Sequence, residues 1–221
     1  MPDLRLDILP TAQRALWSEF DRIPGSFVLY GGTAIALRLG HRQSVDFDFF
    51  SNDSFEPASI LAKLEEFRSV RVDQRGNNTL SIVVDHEGPV RVSFFGDVRM
   101  NSVHPPDLIA ENRLQIASLL DLTATKLKTI QQRAEAKDYI DIDSALQNGI
   151  ELPQAISAAA AIYGLTFNAL AALKAMTYFG DGDLPSLAPA IQTRLRTLAE
   201  RVQIAALPKI IVRRGILGSG S

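Results

Sequence analysis

Cysteine is absent from the 221 residues, which excludes disulfides, thiolate metal sites and a cysteine nucleophile. That absence fits a reducing compartment. Long apolar runs are missing as well: no stretch approaches the roughly 20 residues of a membrane span. The opening MPDLRLDILP carries acidic charge and no apolar run long enough for a signal peptide. The expectation is a cytoplasmic protein that engages no membrane. A basic excess is also lacking, with 25 acidic against 23 basic residues and a formal net charge of −2, so the chain does not have the profile of an obligate duplex-DNA binder. The asymmetry that exists lies near the end, where Arg194, Arg196, Arg201, Lys209, Arg213 and Arg214 accompany the single acid Glu200. Such a patch either meets a polyanion or is a solvated helix face followed by a loose tail. Hydrophobic residues make up 46% of the chain and charged residues 22%, enough apolar material to bury a core without cross-links.

The first half alternates helix and strand signals. Helical spacing of apolar positions over 11–22 is followed by Pro24-Gly25 and by FVLY (27–30), a short buried strand. Gly31-Gly32 ends that strand, and TAIALRLG (33–40) predicts a helix stopped by Gly40. VDFDFF (45–50) alternates strictly, and PASILAKLEEF (57–67) reads as a helix with proline at its first position. Strands are predicted at 69–74, 79–85 and 90–95, separated by Gly76-Asn77-Asn78 and Glu87-Gly88-Pro89. From Ala117 onward the pattern is helical, at 118–133, 135–147, 153–163, 167–179 and 191–206. An α/β core over 1–116, a helical domain over 117–215 and a flexible tail from 216 to 221 are the expected divisions.

Chemistry concentrates in YGGTAIALRLGHRQSVDFDFF, residues 30–50. A strand delivers the chain to two glycines, and the helix that follows points free N–H groups and a positive dipole end at the same spot, which suits a phosphate. The next strand projects Asp46 and Asp48 from one face, because residues two apart in a strand point the same way. Two carboxylates on one edge repel each other unless a cation sits between them. Mg²⁺ suits such a site, since it takes a couple of carboxylates together with phosphate oxygens and water. Taken alone, D-x-D is more often the wet side of an amphipathic sheet. Here the alternating residues are large and aromatic, and the whole strand–GG–helix–loop–DxD order falls within about twenty residues, which favours a metal–triphosphate site.

The stretch GGTAIALRLGHRQSVDFDFF resembles the signature of AbiEii/AbiGii-type nucleotidyltransferases, toxins of toxin–antitoxin and phage-abortive systems within the polymerase-β-like superfamily. A second block, DLTATKLKTIQQRAEAKDYIDIDSAL (121–146), resembles the family's lysine-bearing helix followed by an arginine and a K/R-D-x-x-D segment. The resemblance covers roughly 27–148. It implies an α+β fold: a polymerase-β-like core, with a mixed sheet and flanking helices, followed by a C-terminal helical bundle. It further implies that Asp46 and Asp48 hold Mg²⁺ (or Mn²⁺), and that Gly31, Gly32 and the Thr33 amide hold the phosphates of a nucleoside triphosphate. Lys126 would place a cation against the triphosphate or the leaving pyrophosphate; Lys128 cannot share its helix face. Asp141, or else Asp138, would be the late carboxylate that completes the site. Arg133 and Lys137 either neutralise phosphate or pair with these acids, Arg42 can reach a phosphate, and Ser44 can hydrogen-bond the loop.

One departure stands out. Many enzymes of this superfamily carry a third carboxylate on a later strand, and the corresponding position in VRVSFF is Ser93. Asp97, past the strand end, is a candidate substitute. Two readings follow: nucleotide transfer to an RNA (such as a tRNA) or a protein acceptor by the toxin of a two-gene system, with a winged-helix antitoxin as partner, or a degenerate nucleotide-binding or partner-binding protein of the same fold.

Overall fold

The computed structural model describes residues 4–65, 69–85 and 87–217. A 3-10 turn (Leu6–Ile8) leads into α1 (Thr11–Trp17), a 3-10 segment (Ser18–Arg22), β1 (Val28–Tyr30), α2 (Gly31–Leu39), β2 (Asp46–Phe50) and α3 (Pro57–Glu65). It continues through β3 (Ser69–Gly76), β4 (Thr79–Asp85), β5 (Pro89–Phe95), β6 (Asp107–Leu108) and β7 (Gln115–Ile116). Helices follow: α4 (Leu119–Thr129), α5 (Ala136–Gln147), α6 (Leu152–Tyr163), α7 (Ala169–Ala175) and α8 (Pro189–Glu200). The described residues form a seven-stranded sheet in the order β3-β4-β5-β2-β1-β7-β6. It is mixed: β2 runs parallel to β5 and antiparallel to β1, which is parallel to β7.

The alternation of β2 sets the register of the whole sheet. Phe47 and Phe49 are fully buried, whereas Asp46, Asp48 and Phe50 on the other face are half-buried. The ring of Phe20 stands edge-on to Phe47 at 4.7 Å and to Phe49 at 5.4 Å, and Phe49 stacks on Phe94 of β5 at 5.3 Å. Each buried ring contributes on the order of 1.5–3 kcal/mol, while a one-residue slip would drive both aspartates into that core. The register is therefore strongly specified.

The apolar interior forms two clusters. One gathers residues from Leu9 to Leu122 around the sheet, and the other gathers α4 to α8 around Leu127, Ile142, Ile156 and Leu195. Ala155, Ala158 and Ala159 on α6 are fully buried, and such small side chains let α6 approach α4 closely. At α4's start, Ser118 accepts a hydrogen bond from the Asp121 amide, and the Asp121 carboxylate accepts from the amides of Val103 (2.7 Å) and His104 (3.1 Å).

The segment after α8 departs from the expected flexible tail beginning at 216. Leu207, Ile210 and Val212 pack on the helical cluster, and Ile216, 1% exposed, plugs the sheet cluster. The backbones of Ser102 and Arg213 exchange hydrogen bonds of 3.2 and 2.7 Å. The Ile216 amide donates to Asn52 Oδ1 at 2.6 Å, while the Asn52 amide group donates to the carbonyls of Val98 and Met100. Satisfied backbone groups and a buried side chain convert this stretch into a strap across both clusters; residues 218–221 lie outside the described residues.

Ile216→Ala is expected to destabilise the protein by about 2–4 kcal/mol. Urea unfolding followed by Trp17, the single tryptophan, checks this, since Trp17 is buried in the cluster that Ile216 fills. An unchanged midpoint would return the segment to a loose tail.

Candidate active site

A cavity of about 460 Å³ opens where β2, the mouth of α2 and the 42–45 loop face α4 and α5. Asp46 and Asp48 line its sheet wall; Lys126, Arg133 and Lys137 line the helical wall. Among the described residues, neither aspartate side chain has a hydrogen-bond or ion-pair partner, and no third acidic or histidine ligand joins them. Burial raises the Asp48 pKa, and the charge of Asp46 raises it further, against the opposing pull of Lys126, Lys137 and Arg133. This is a carboxylate pair without a direct partner, faced by cations across the cavity.

The helix at the cavity mouth begins at Gly31, two residues before the expected Thr33. No side chain caps its first turn, so its N–H groups are left for another acceptor. Both glycines have a specific cause. Gly31 has φ +74°, and a Cβ there would sit 2.5 Å from Asp48 Oδ2; a Cβ on Gly32 would sit 2.5 Å from Arg42 Nη2. The missing side chains thus admit the protein's own carboxylate and guanidinium against the helix end. Thr33 is fully buried, and its hydroxyl donates to the Asp46 carbonyl, tying α2 to β2. Its side chain is outside the cavity, while Ser44 lies at the edge.

Behind the cationic wall lies a buried ion network. Asp138 and Asp141, one turn apart on α5, are both fully buried. Lys126 Nζ lies 2.6 Å from Asp138 and 2.8 Å from Asp141. Arg42 donates to both Asp141 oxygens, Nε at 2.6 Å and Nη2 at 2.8 Å, and His41 Nε2 donates at 2.8 Å. Arg133 donates to Asp138 through Nε at 2.9 Å, and Lys137 pairs with Glu135 at 2.8 Å. Burial pushes the Asp141 carboxyl up, but the hydrogen bonds of His41 and Arg42 and the charge of Lys126 outweigh it and hold the group far below the usual carboxylate range. Neither Asp138 nor Asp141 lines the cavity. They hold Lys126, Arg42 and Arg133, the two arginines by bidentate pairing. Lys128 turns away and donates to the Thr166 carbonyl.

From sequence, the position of a third carboxylate falls on Ser93. Ser93 lies directly beside Asp48 in the parallel β2–β5 register. It is 5% exposed, and its hydroxyl shares a hydrogen bond of 3.0 Å with Ser81. Asp97 is no substitute: it stands past the strand end beside Asn52 and Arg214, in a separate hollow. Of the basic C-terminal residues, Arg194 is held bidentately by Asp143 and Arg196 lies over the Phe179 ring.

Sequence reasoning missed Thr125, Thr129, Gln43, Val45, Phe50 and Phe95 among the lining residues. The signal for Phe50 was present, since the alternation that pairs Asp46 with Asp48 continues to it. Thr125 and Thr129 share a helix face at i, i+4 next to Lys126.

Comparison with known proteins gives this geometry its context. Residues 14–205 match the family model described as nucleotidyl transferase AbiEii toxin, type IV TA system. An uncharacterized protein of Aquifex aeolicus (strain VF5) is 33% identical over 122 residues, 54% of this chain and 57% of that protein, so the chain spans little more than half of that relative's length. Among solved structures, MenT4, a nucleotidyltransferase toxin of Mycobacterium tuberculosis H37Rv, superposes with a TM-score of 0.58 at 16% identity, covering 86% of this chain and 83% of that one. An H. pylori protein described as a nucleotidyltransferase superposes at 0.54 with 13% identity, covering 86% and 92%. At such identities the superpositions establish the fold, a polymerase-β-like α+β architecture.

Two outcomes follow from the network. Lys126→Ala leaves Asp138 and Asp141 short of a buried counter-charge and is expected to cost about 3–5 kcal/mol of stability, read as a lowered urea midpoint without any substrate. Because Asp141 has a folded pKa below its unfolded value of about 3.9, its contribution is complete above that value and drains away as pH falls below it. Stability measured from pH 6 down to pH 3 should therefore fall less steeply in Asp141→Asn than in the wild type; equal slopes would remove Asp141 from the acid response.

Proposed function

Because the chain belongs to the AbiEii nucleotidyl transferase toxin family, we propose that its cavity binds a nucleoside triphosphate with a divalent cation and passes the nucleotide to an RNA or protein acceptor, releasing pyrophosphate. The observation that carries this reading is the partnerless Asp46–Asp48 pair, set between an uncapped helix mouth and a wall of cations. Asp46 and Asp48 fit Mg²⁺ or Mn²⁺, the hard cations that combine a few carboxylates with phosphate oxygens. When bound, such an ion neutralises charge on the triphosphate during displacement.

The chain's own groups do the rest. Amides of Gly31, Gly32 and Thr33 donate to phosphate oxygens at the positive end of α2. Arg42 and Ser44 close that end of the cavity, and Arg42 is kept in place by Asp141. Lys126, Arg133 and Lys137 face the phosphates from the opposite wall. Their acidic partners fix their positions in advance, so little reorganisation accompanies charge development. Asp138 and Asp141 act through these cations rather than on substrate.

The acceptor best supported is RNA, a tRNA end among its forms, since Arg201, Lys209, Arg213 and Arg214 remain exposed near the chain's end and can meet a phosphate backbone. The family implies a cognate antitoxin, here a winged-helix protein, and cytoplasmic action. The neutral Ser93 beside Asp48 favours one alternative, nucleotide binding without transfer, which pyrophosphate release separates from the main reading.

Incubation with each labelled triphosphate, Mg²⁺ and total RNA or total protein should label one acceptor class. Asp46→Asn and Asp48→Asn are each expected to lower labelling at least on the order of 100-fold, and chelation of divalent ions should abolish it. Undiminished transfer in both variants would remove the metal site; Mg²⁺-dependent binding with no pyrophosphate for any acceptor would select the alternative.

A further inference from the structure

The cavity has an apolar end that neither the metal site nor the phosphate groups use. Along β2 the exposed-face row is Asp46, Asp48, Phe50, and the parallel register sets Phe95 of β5 beside Phe50. The two rings stack at 5.2 Å with planes 24° apart, and Tyr30 braces Phe50 edge-on at 5.3 Å. The neighbouring rings of the same strands, Phe47, Phe49 and Phe94, are completely buried on the other face. Phe50 and Phe95 instead remain half-buried and line the cavity opposite polar α4. Cross-strand stacking explains their pairing. It does not explain why a flat aromatic surface is left open in a cavity otherwise lined mainly by charged and polar side chains.

We propose that the Phe50–Phe95 pair is the stacking platform for the base of the bound nucleoside triphosphate, an inference that rests on the nucleotide-binding reading above. Position supports it. Two strand residues separate Asp48 from Phe50 by about 6.6 Å, room for a sugar between a phosphate held near Asp48 and a base lying on the rings. The β1–β2 register sets Tyr30 opposite Asp48 and Val28 opposite Phe50, so Gly31 and Gly32, with Arg42 beside them, lie along the cavity in the direction away from Phe50. A triphosphate stretched along β2 thus meets donors at one end and aromatic carbon at the other. Stacking is tolerant of base identity, because every base has a π-face, so this platform sets nucleotide over bare polyphosphate rather than one base over another.

The test is calorimetric titration of the full chain with ATP, GTP, CTP, UTP and inorganic tripolyphosphate, each with Mg²⁺. Wild type should bind all four nucleotides more tightly than tripolyphosphate. Phe95→Ala should weaken the nucleotides by roughly tenfold to hundredfold and leave tripolyphosphate unchanged, with Phe95→Trp restoring affinity. Phe95→Leu keeps apolar volume without a flat ring and should weaken nucleotides in the same selective way, including where the alanine variant fails to fold. Parallel loss of tripolyphosphate, wild-type affinity in Phe95→Leu, or equal wild-type affinity for tripolyphosphate and nucleotides would each overturn the platform. Wild type binding neither class of ligand would instead overturn the nucleotide reading itself.

Discussion

A carboxylate with no access to water, Asp141, holds the two halves of this molecule in one geometry. Its partners come from opposite sides: His41 and Arg42 from the loop before β2, Lys126 from α4. A buried charge is tolerated only when its partners satisfy it, and separating such partners costs far more than parting an exposed pair. The cleft between sheet and helices is consequently a fixed gap. Arg42 and Lys126, which pair with Asp141, also line the cavity, so the fold's stability and the placement of cations in the site are one problem with one solution.

Much of this was legible from the chain. The alternation in VDFDFF put both aspartates on one face, and the structure keeps them there; that Ser93 is the residue beside Asp48 is read from the β2–β5 register. Short-range patterning handles such features well, because a strand period is fixed by covalent geometry. Long-range ion pairing is different. Sequence spacing on α5 permits Asp138 and Asp141 to be surface ion pairs or site carboxylates, and only packing against α4 reveals that both are sealed and turned to Lys126. The glycine pair was read as room for a ligand; both glycines line the cavity, and the side chains that a Cβ there would meet are those of Asp48 and Arg42. The two-residue strands β6 and β7 carry too little pattern to be read, and the last turns of α7 and α8 stop short of the predicted ends.

The site's charge balance follows from the same details. Hydroxyls of Ser81 and Ser93 stand where a further anion would deepen the field around Asp46 and Asp48. The sheet wall therefore carries two formal negative charges and the facing wall three cations whose acidic partners sit behind them. Among the described residues no single helix is long and apolar enough to cross a membrane, and the apolar α6 is accounted for by its packing on α4.

The strap that ends in Ile216 bears on the order in which the protein can mature. The sheet cluster draws one of its fillers from beyond α8, more than ninety positions after Leu122, the preceding member of that cluster. Chains grow from the amino end at about 5–20 residues per second, so the strands can pair while this slot is still vacant and while Asp141 has yet to meet Arg42. Contacts of such sequence separation form late. The residues that line the cavity lie between positions 31 and 137, so both of its walls have been synthesised before the strap closes the sheet cluster behind them.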